Sequence, residues 1–434
     1  MVELIALGAG LTIVGCLVLQ LPMLVYTNLQ RSRSAVIQRQ LQLREWQKRV
    51  EAAELRVEEA ESSKASWTGW RKFEVRKKIL ENEKGDICSF YFYPHDRKPL
   101  PAFYPGQFLM FRLDVPDLAD PDEIVEESRC YSLSDSPNPR YYRISVKRVL
   151  PPPNAAPGTP PGVVSGFLHD RVQEGELIDV HAPSGDFFLD LNKESPVVLL
   201  AAGVGVTPIL CMMNALIDKN STREIWVFYG VRAEDELIMQ RNFEFAAANL
   251  PNARVHFCFS DVLPANRSEG AKAANGIHYL QSRVDAALMK QTLPHNNYDY
   301  FICGPGPMMT GMERGLLEWG VPKQNVHWES FGGAPAAAPA PAIAGVAHKV
   351  VYAHSGKELT WHGEASLRTL AKANKYKEKK IKYACGQGKC GSCHTALKSG
   401  TVCYPGTQPA FPGLQAGYCL PCIAVPETSI ELDA

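Results

Sequence analysis

The amino-acid sequence predicts a multidomain chain: a single N-terminal transmembrane helix, an antiparallel β-barrel, an α/β doubly wound domain and a small cysteine-rich C-terminal domain. Three observations carry this reading. An uncharged apolar run opens the chain, the apolar pattern lengthens near Pro196, and six of the twelve cysteines crowd the last fifty residues. At 434 residues the chain exceeds one ordinary core, and 45% hydrophobic with 21% charged residues describes globular material. A formal net charge of zero gives no bulk attraction for nucleic acid. A dense cysteine cluster in so long a chain points to a metal site in a reducing compartment rather than to a disulfide framework.

The first element is the run from Leu4 to Tyr26, "LIALGAGLTIVGCLVLQLPMLVY", in which only Thr12 and Gln20 are distinctly polar. About 20 apolar residues span a hydrocarbon core, so 3–27 is expected to be a transmembrane helix in contact with membrane lipid. A signal peptide wants a basic leader and a shorter apolar core. This chain begins Met-Val-Glu and carries Arg31, Arg33, Arg39, Arg44, Lys48 and Arg49 after the run. The positive-inside rule then predicts a single-pass membrane protein with its catalytic domains facing the cytoplasm. Residues 28–65 read as a charged amphipathic helix. Val36, Leu43, Trp46, Val50, Ala53 and Val57 suit a coiled-coil seam or docking on a partner, and equally a solvated spacer.

From "SWTGWRKFEV" (66–75) short apolar runs broken by "YPHD" and "YPGQ" predict antiparallel strands, and the barrel is assigned to 68–190. The continuous run "VVLLAAG" suits a buried parallel strand and "VGVTPILCMMNAL" a helix after it. "EIWVFYG", "RVHFCFS" and "YDYFICG" repeat the strand theme, so 195–332 is expected to be the doubly wound domain. An Ala/Pro linker occupies 333–347 and the cysteine-rich domain 348–434. The acidic "DPDEIVEE" (120–127) is expected to be a solvated loop.

In "ACGQGKCGSC" (384–393), Cys385, Cys390 and Cys393 follow the C-x4-C-x2-C spacing of a plant-type [2Fe–2S] site, which needs one more cysteine downstream. Glycine among them lets backbone N–H groups approach cluster sulfurs. A zinc site built from the Cys390/Cys393 and Cys419/Cys422 pairs is the alternative, and it leaves Cys385 unused. The stretch resembles plant-type ferredoxins, whose last ligand lies in a Leu-x-Cys-x-x-x-Pro context. Leu420, Cys422 and Pro426 fit that context, and Cys403 does not. The resemblance implies a β-grasp ferredoxin domain with Cys385, Cys390, Cys393 and Cys422 as the metal ligands.

"RCYSLSDSP" (129–137) resembles the Arg-x-Tyr-Ser signature of the ferredoxin–NADP reductase superfamily, of the oxygenase-reductase type. "YPGQF" (104–108), "GVVSGFLHD" (162–170) and "APSGDFFL" (182–189) resemble further segments of the same barrel, in the family order. The resemblance implies FAD, with Tyr131 against the isoalloxazine, Ser132 near its N5, and Arg129 and Ser165 on the phosphates. An aromatic face, a hydroxyl and a guanidinium are chemically apt for a ring, a redox nitrogen and a phosphate.

"AAGVGVTPI" (201–209) joins a strand to a helix through Gly203 and Gly205, where small residues let N–H groups meet a pyrophosphate. With Thr207 and Pro208 it resembles the superfamily's Gly-x-Gly-x-Thr-Pro nucleotide motif. "FICGPGPMM" (301–309) resembles the Cys-Gly-Pro motif, implying that Cys303, Gly304 and Pro305 border the nicotinamide, and "ESFG" (329–332) implies Glu329 and Phe331 beside the flavin. The catalytic set expected is Ser132, Cys303 and Glu329. Asp235 or Glu236 would accept from the adenosine ribose, favouring NADH, with Glu236 the chosen residue; Arg232 could pair with the extra phosphate of NADPH.

The resemblance as a whole implies a membrane-anchored NADH-dependent reductase. Electrons would pass from NADH through FAD to the [2Fe–2S] cluster and on to a membrane-bound oxygenase, hydroxylase or desaturase. The alternative is a respiratory subunit of a quinone-reducing complex, similar to the flavin subunit of the sodium-translocating NADH:quinone reductase. The cluster domain follows the flavin module here, the reverse of the order in that subunit.

Overall fold

A computed structural model of the chain describes residues 67, 69–116, 122–151, 161–264, 276–331, 347–374, 376, 381, 383, 386, 388, 391–405, 409 and 414–434. The expected transmembrane helix (3–27), the charged helix (28–65) and most of the Ala/Pro linker lie outside them. Among the described residues no helix is long and apolar enough to cross a membrane. The longest, at 13 residues, falls well short of the roughly 20 a bilayer core requires. The expectation of a single-pass membrane localisation is corrected accordingly.

Six antiparallel strands build the first sheet: β1 (Arg71–Leu80), β2 (Ile87–Pro94), β3 (Phe108–Pro116), β4 (Ile124–Ser132), β5 (Tyr142–Lys147) and β6 (Leu177–Val180), in the order β4-β3-β6-β1-β2-β5. An antiparallel bridge between Leu133 and Ile144 joins the two outer strands and closes the sheet into a barrel. Its interior is aromatic, with Phe73, Phe90, Phe92 and Phe111 fully buried. Helix α1 (Val163–Asp170) adds Val164 and Leu168 to this core. The acidic stretch differs from expectation. Ile124 to Glu127 are the first residues of β4, because they pair with Leu113 to Pro116 across the ladder, alternate residues being exposed and half-buried.

The second sheet is wholly parallel: β7 (Val197–Ala202), β8 (Ile225–Val231), β9 (Ala253–Phe259), β10 (Ile277–Leu280), β11 (Asp299–Cys303) and β12 (Val326–Glu329), in the order β10-β9-β8-β7-β11-β12. The central strands β7 and β8 read as unbroken apolar runs because helices cover both faces. These are α2 (Val206–Asp218), α3 (Gln240–Asn249), α4 (Ala286–Thr292) and α5 (Gly306–Glu318). The order reverses between β7 and β11, so the loops leaving those two strands flank a crevice at a topological switch point.

The C-terminal sheet comprises β13 (His348–Tyr352), β14 (Lys357–Trp361), β15 (Thr395–Ser399), β17 (Tyr418–Cys419) and β19 (Ile430–Leu432), in the order β14-β13-β19-β15-β17. A separate pair joins β16 (Val402–Cys403) to β18 (Val425–Pro426). Helix α6 (Leu367–Ala373) begins at Ser366, whose hydroxyl accepts from the Thr369 N–H, and it buries Leu367 and Leu370.

Asp135, just past β4, is where the barrel meets the α/β domain. Its side chain accepts from Asn214 of α2 at 2.8 Å and from the Tyr141 hydroxyl at 3.0 Å, and lies 3.6 Å from the Arg143 guanidinium. Its carbonyl accepts from the Cys211 thiol at 2.9 Å.

Candidate functional site

A cleft of about 780 Å³ runs along this junction, within the size range of cofactor sites. The end of β4 forms one wall, with Arg129, Tyr131 and Ser132; the first turn of α1 and the end of β5 form another. Val204 and Thr207 of the α/β domain reach it, as do Glu329 and Phe331 after β12.

Three residues that separate motifs had singled out converge here. The Ser132 hydroxyl donates to Glu329 Oε2 at 2.9 Å, across 197 positions of sequence, and both side chains are buried. Glu329 is also the register partner of Cys303 on the neighbouring parallel strand. Burial, and then the Glu329 carboxylate, push the Cys303 thiol well above its ordinary value. Cys303 is therefore a neutral, buried thiol rather than a nucleophile. Burial likewise raises the Tyr131 phenol, with Arg129 opposing, so its hydroxyl stays protonated. The Tyr131 ring meets Phe111 edge-on at 5.9 Å. Phe331 is 44% exposed at the mouth of the cleft, an apolar ring left free for a planar ligand.

The α1 side of the cleft is polar. Gly162 caps α1 without a side-chain acceptor, which leaves the first N–H groups of the helix to an anion. Ser165 donates to the Gly162 carbonyl and accepts from the Val149 N–H, both at 3.1 Å, so it braces that turn. Arg129 is held by Glu127 at 2.8 Å and by the Ser128 carbonyl at 2.7 Å. Sequence reasoning missed Glu127; alternation places it two residues before Arg129, on the same face of the strand.

The nucleotide crevice rests on close backbone approach. A Cβ on Gly205 would lie 2.2 Å from the Cys303 carbonyl oxygen, and one on Gly304 would lie 2.8 Å from Met308 Sδ. Gly203 has φ +53° and opens the turn that leads into α2. Thr207 donates to the Val204 carbonyl at 3.1 Å, and Pro208 sits in the first turn of α2, where its missing N–H costs no helical bond. Pro305 caps α5. Glu236 stands apart from this group, paired to Arg232 through Nη2 and through Nε at 2.9 Å. Arg232 holds its carboxyl below the usual range. Asp235 pairs with Lys84 at 2.8 Å.

In the C-terminal domain, Cys393 and Cys422 are both buried in one core with Tyr383, whose hydroxyl is raised first by burial and also by those two thiols. Cys385 and Cys390 lie outside the described residues. Gly386, Gly388 and Gly391 all take φ near +70° (69°, 71° and 70°), and a Cβ on Gly388 would lie 2.2 Å from Ile423 Cδ1, beside Cys422. Gly388 thus packs directly against the residue that follows Cys422, a close approach that leaves no room for a side chain. Cys419, needed by the zinc alternative, lies in β17 opposite Thr395, and burial, then Cys422, push its thiol up to about 12. Ser392, next to Cys393, donates to Met110 Sδ of β3 at 2.8 Å, so the cluster loop rests on the flavin barrel.

Two family models match the chain: an oxidoreductase NAD-binding domain over residues 199–314 and a 2Fe-2S iron-sulfur cluster binding domain over 353–427. A flavohemoprotein of Bordetella pertussis is 37% identical over 275 residues, covering 63% of this chain and 63% of that protein. The chain thus spans less than two thirds of that relative's length. A type IV self-sufficient cytochrome P450 monooxygenase shares the fold, with a TM-score of 0.53 at 18% identity over 84% of this chain and 41% of the other. Phthalate dioxygenase reductase, described as a modular structure for electron transfer from pyridine nucleotides to [2Fe–2S], aligns over 84% of this chain and 98% of its own, at 22% identity and a TM-score of 0.48. The chain is an NAD(P)H-dependent oxidoreductase. Its cofactors are FAD, NAD(H) and a [2Fe–2S] cluster, and the matched models assign it an oxidoreductase NAD-binding domain and a C-terminal 2Fe-2S cluster binding domain.

Proposed function

We propose that this chain is an NADH-dependent reductase that carries electrons through FAD and its [2Fe–2S] cluster to an oxygenase, hydroxylase or desaturase. One observation carries the reading: the barrel that contributes Tyr131 and Ser132 to the cleft also seats the cluster loop, through Met110 and Ser392. When bound, NADH supplies an electron pair, FAD accepts the pair and releases it singly, and the cluster carries one electron at a time.

The protein's own part is positioning. Tyr131 and Phe331, both lining the cleft, would hold the isoalloxazine. Ser132 keeps its proton directed at Glu329 Oε2 until a ring nitrogen offers a competing acceptor. Cys303, uncharged and dry, lets the nicotinamide lie close without adding charge to the site. The α1 N-terminus, Ser165 and Arg129 face the flavin phosphates, and Gly203, Gly205, Thr207, Pro208, Gly304 and Pro305 shape the nucleotide crevice. Cys385, Cys390, Cys393 and Cys422 hold the cluster. NADH is favoured over NADPH because Glu236 neutralises Arg232, the cation a 2′-phosphate would use.

The test is anaerobic rapid mixing of the purified holoprotein with NADH or NADPH, following flavin absorbance and the cluster's paramagnetic signal. NADH should bleach the flavin first and then produce the reduced-cluster signal, with NADPH at least about tenfold slower. Flavin bleaching with no cluster reduction would end the proposal.

A further inference from the structure

The flavin cleft has one wall that neither the barrel nor the α/β domain supplies. Arg368 belongs to α6 of the cluster domain, 239 positions beyond Arg129, yet both line the same cleft. Its backbone N–H donates at 2.9 Å to the carbonyl of Pro421, the residue before Cys422. Its guanidinium carbon lies 5.0 Å from the centroid of the Tyr383 ring, which shares its core with Cys393 and Cys422. Its Nε is buried and has no hydrogen-bond partner among the described residues. A guanidinium N–H shut away from water without an acceptor is costly, and its planar fork matches phosphate oxygens.

The surroundings point to the same ligand. Lys372, one turn further along α6, is held below the ordinary ammonium range by desolvation, then by Arg368 and Arg129. Arg129 and Arg368, cations of two domains, line the one cleft. Glu127 answers Arg129, and an anion of more than one charge would answer the rest. The cleft's proposed occupant carries one in its diphosphate.

We propose that Arg368 is a ligand of the flavin diphosphate, so that the cluster domain completes the cofactor site and flavin occupancy holds that domain in its seat. The inference rests on the reading that the α1 N-terminus and Arg129 face the flavin phosphates.

The experiment uses the full chain stripped of flavin, with its cluster absorbance intact. Wild type, Arg129→Gln, Arg368→Gln and Arg368→Lys are titrated with FAD and with riboflavin, which has the ring and no phosphate, by flavin fluorescence. Arg368→Gln should weaken FAD about tenfold or more, as expected for a lost charge-assisted contact, and leave riboflavin affinity unchanged; Arg368→Lys should recover part of the loss. An equal loss for FAD and riboflavin makes Arg368 a brace for Pro421 and Tyr383 and overturns the inference. A loss in Arg129→Gln without one in Arg368→Gln overturns the inference while sparing the site reading. No loss in either overturns both. Should Arg368→Gln fail to assemble its cluster, the ratio of FAD to riboflavin affinity in Arg368→Lys decides, and a wild-type ratio overturns the inference.

Discussion

Replacing Gly205 with alanine tests the crevice at its tightest point. The added Cβ would lie 2.2 Å from the Cys303 carbonyl oxygen, 2.5 Å from its carbon and 2.8 Å from the Gly304 nitrogen. All three are backbone atoms, so no side chain can swing aside. Reaching ordinary contact at 3.4 Å requires the ends of β7 and β11 to part by more than an ångström, at the last rung of their ladder, Ala201 opposite Cys303. Overpacking of this kind costs about 1–3 kcal/mol, or roughly 5–10 °C of melting temperature at the upper end for a domain of this size. The same displacement widens the nucleotide crevice, and NADH affinity should fall about tenfold or more. Flavin and cluster content should be unaltered, because the barrel and the C-terminal core do not contain the overlap. Calorimetry with NADH titration measures both quantities. A variant as stable as wild type with unchanged NADH affinity would refute the close approach and, with it, this account of the crevice.

Three further outcomes are expected. Cys422→Ser should abolish the cluster's visible absorbance, whereas Cys419→Ser, in a buried strand, should retain it; the reverse pattern would make Cys419, not Cys422, the fourth ligand. Asp135→Ala removes the acceptor shared by Asn214, Tyr141 and Arg143, so it should destabilise the chain by about 1–3 kcal/mol and separate the barrel and α/β transitions in calorimetry; a single unshifted transition would contradict the hub. Asp179 is partly buried, which opposes its charge, yet hydrogen bonds from Arg112 and Lys72 hold its carboxyl below the usual value. Its contribution is therefore present above the unfolded value, about 3.9, and is lost as pH falls through the folded one. The melting-temperature gap between wild type and Asp179→Asn should close on acidification, and a gap independent of pH would count against the pairing.

What the sequence revealed depended on whether the cause was local. Val197–Ala202 and Ile225–Val231 were legible as parallel strands because burial on both faces leaves an unbroken apolar run. Ser132, Cys303 and Glu329 were each legible within a short motif. Their convergence was not, since it depends on β11 and β12 lying in register and on two domains meeting at Asp135. Ion pairs were the least visible. Glu127 restrains Arg129, and Arg232 claims the carboxylate that had been assigned to a ribose, because charges within reach pair once the backbone positions them. "DPDEIVEE" read as a loop on charge alone, while its ladder partners in β3 lie upstream. Arg368 left no signal, because nothing near it in the sequence relates α6 to a cleft in another domain.

Strand β12 has a mechanical consequence. It is an edge strand of four residues, paired only with β11, and it ends on Glu329, two residues before Phe331. From there the chain runs through 333–347 to the cluster domain at His348. Any tension transmitted along that segment enters the α/β sheet through this short ladder. The carboxylate bonded to Ser132 stands at the point of attachment. A tug carried by 333–347 is thus felt beside the flavin wall.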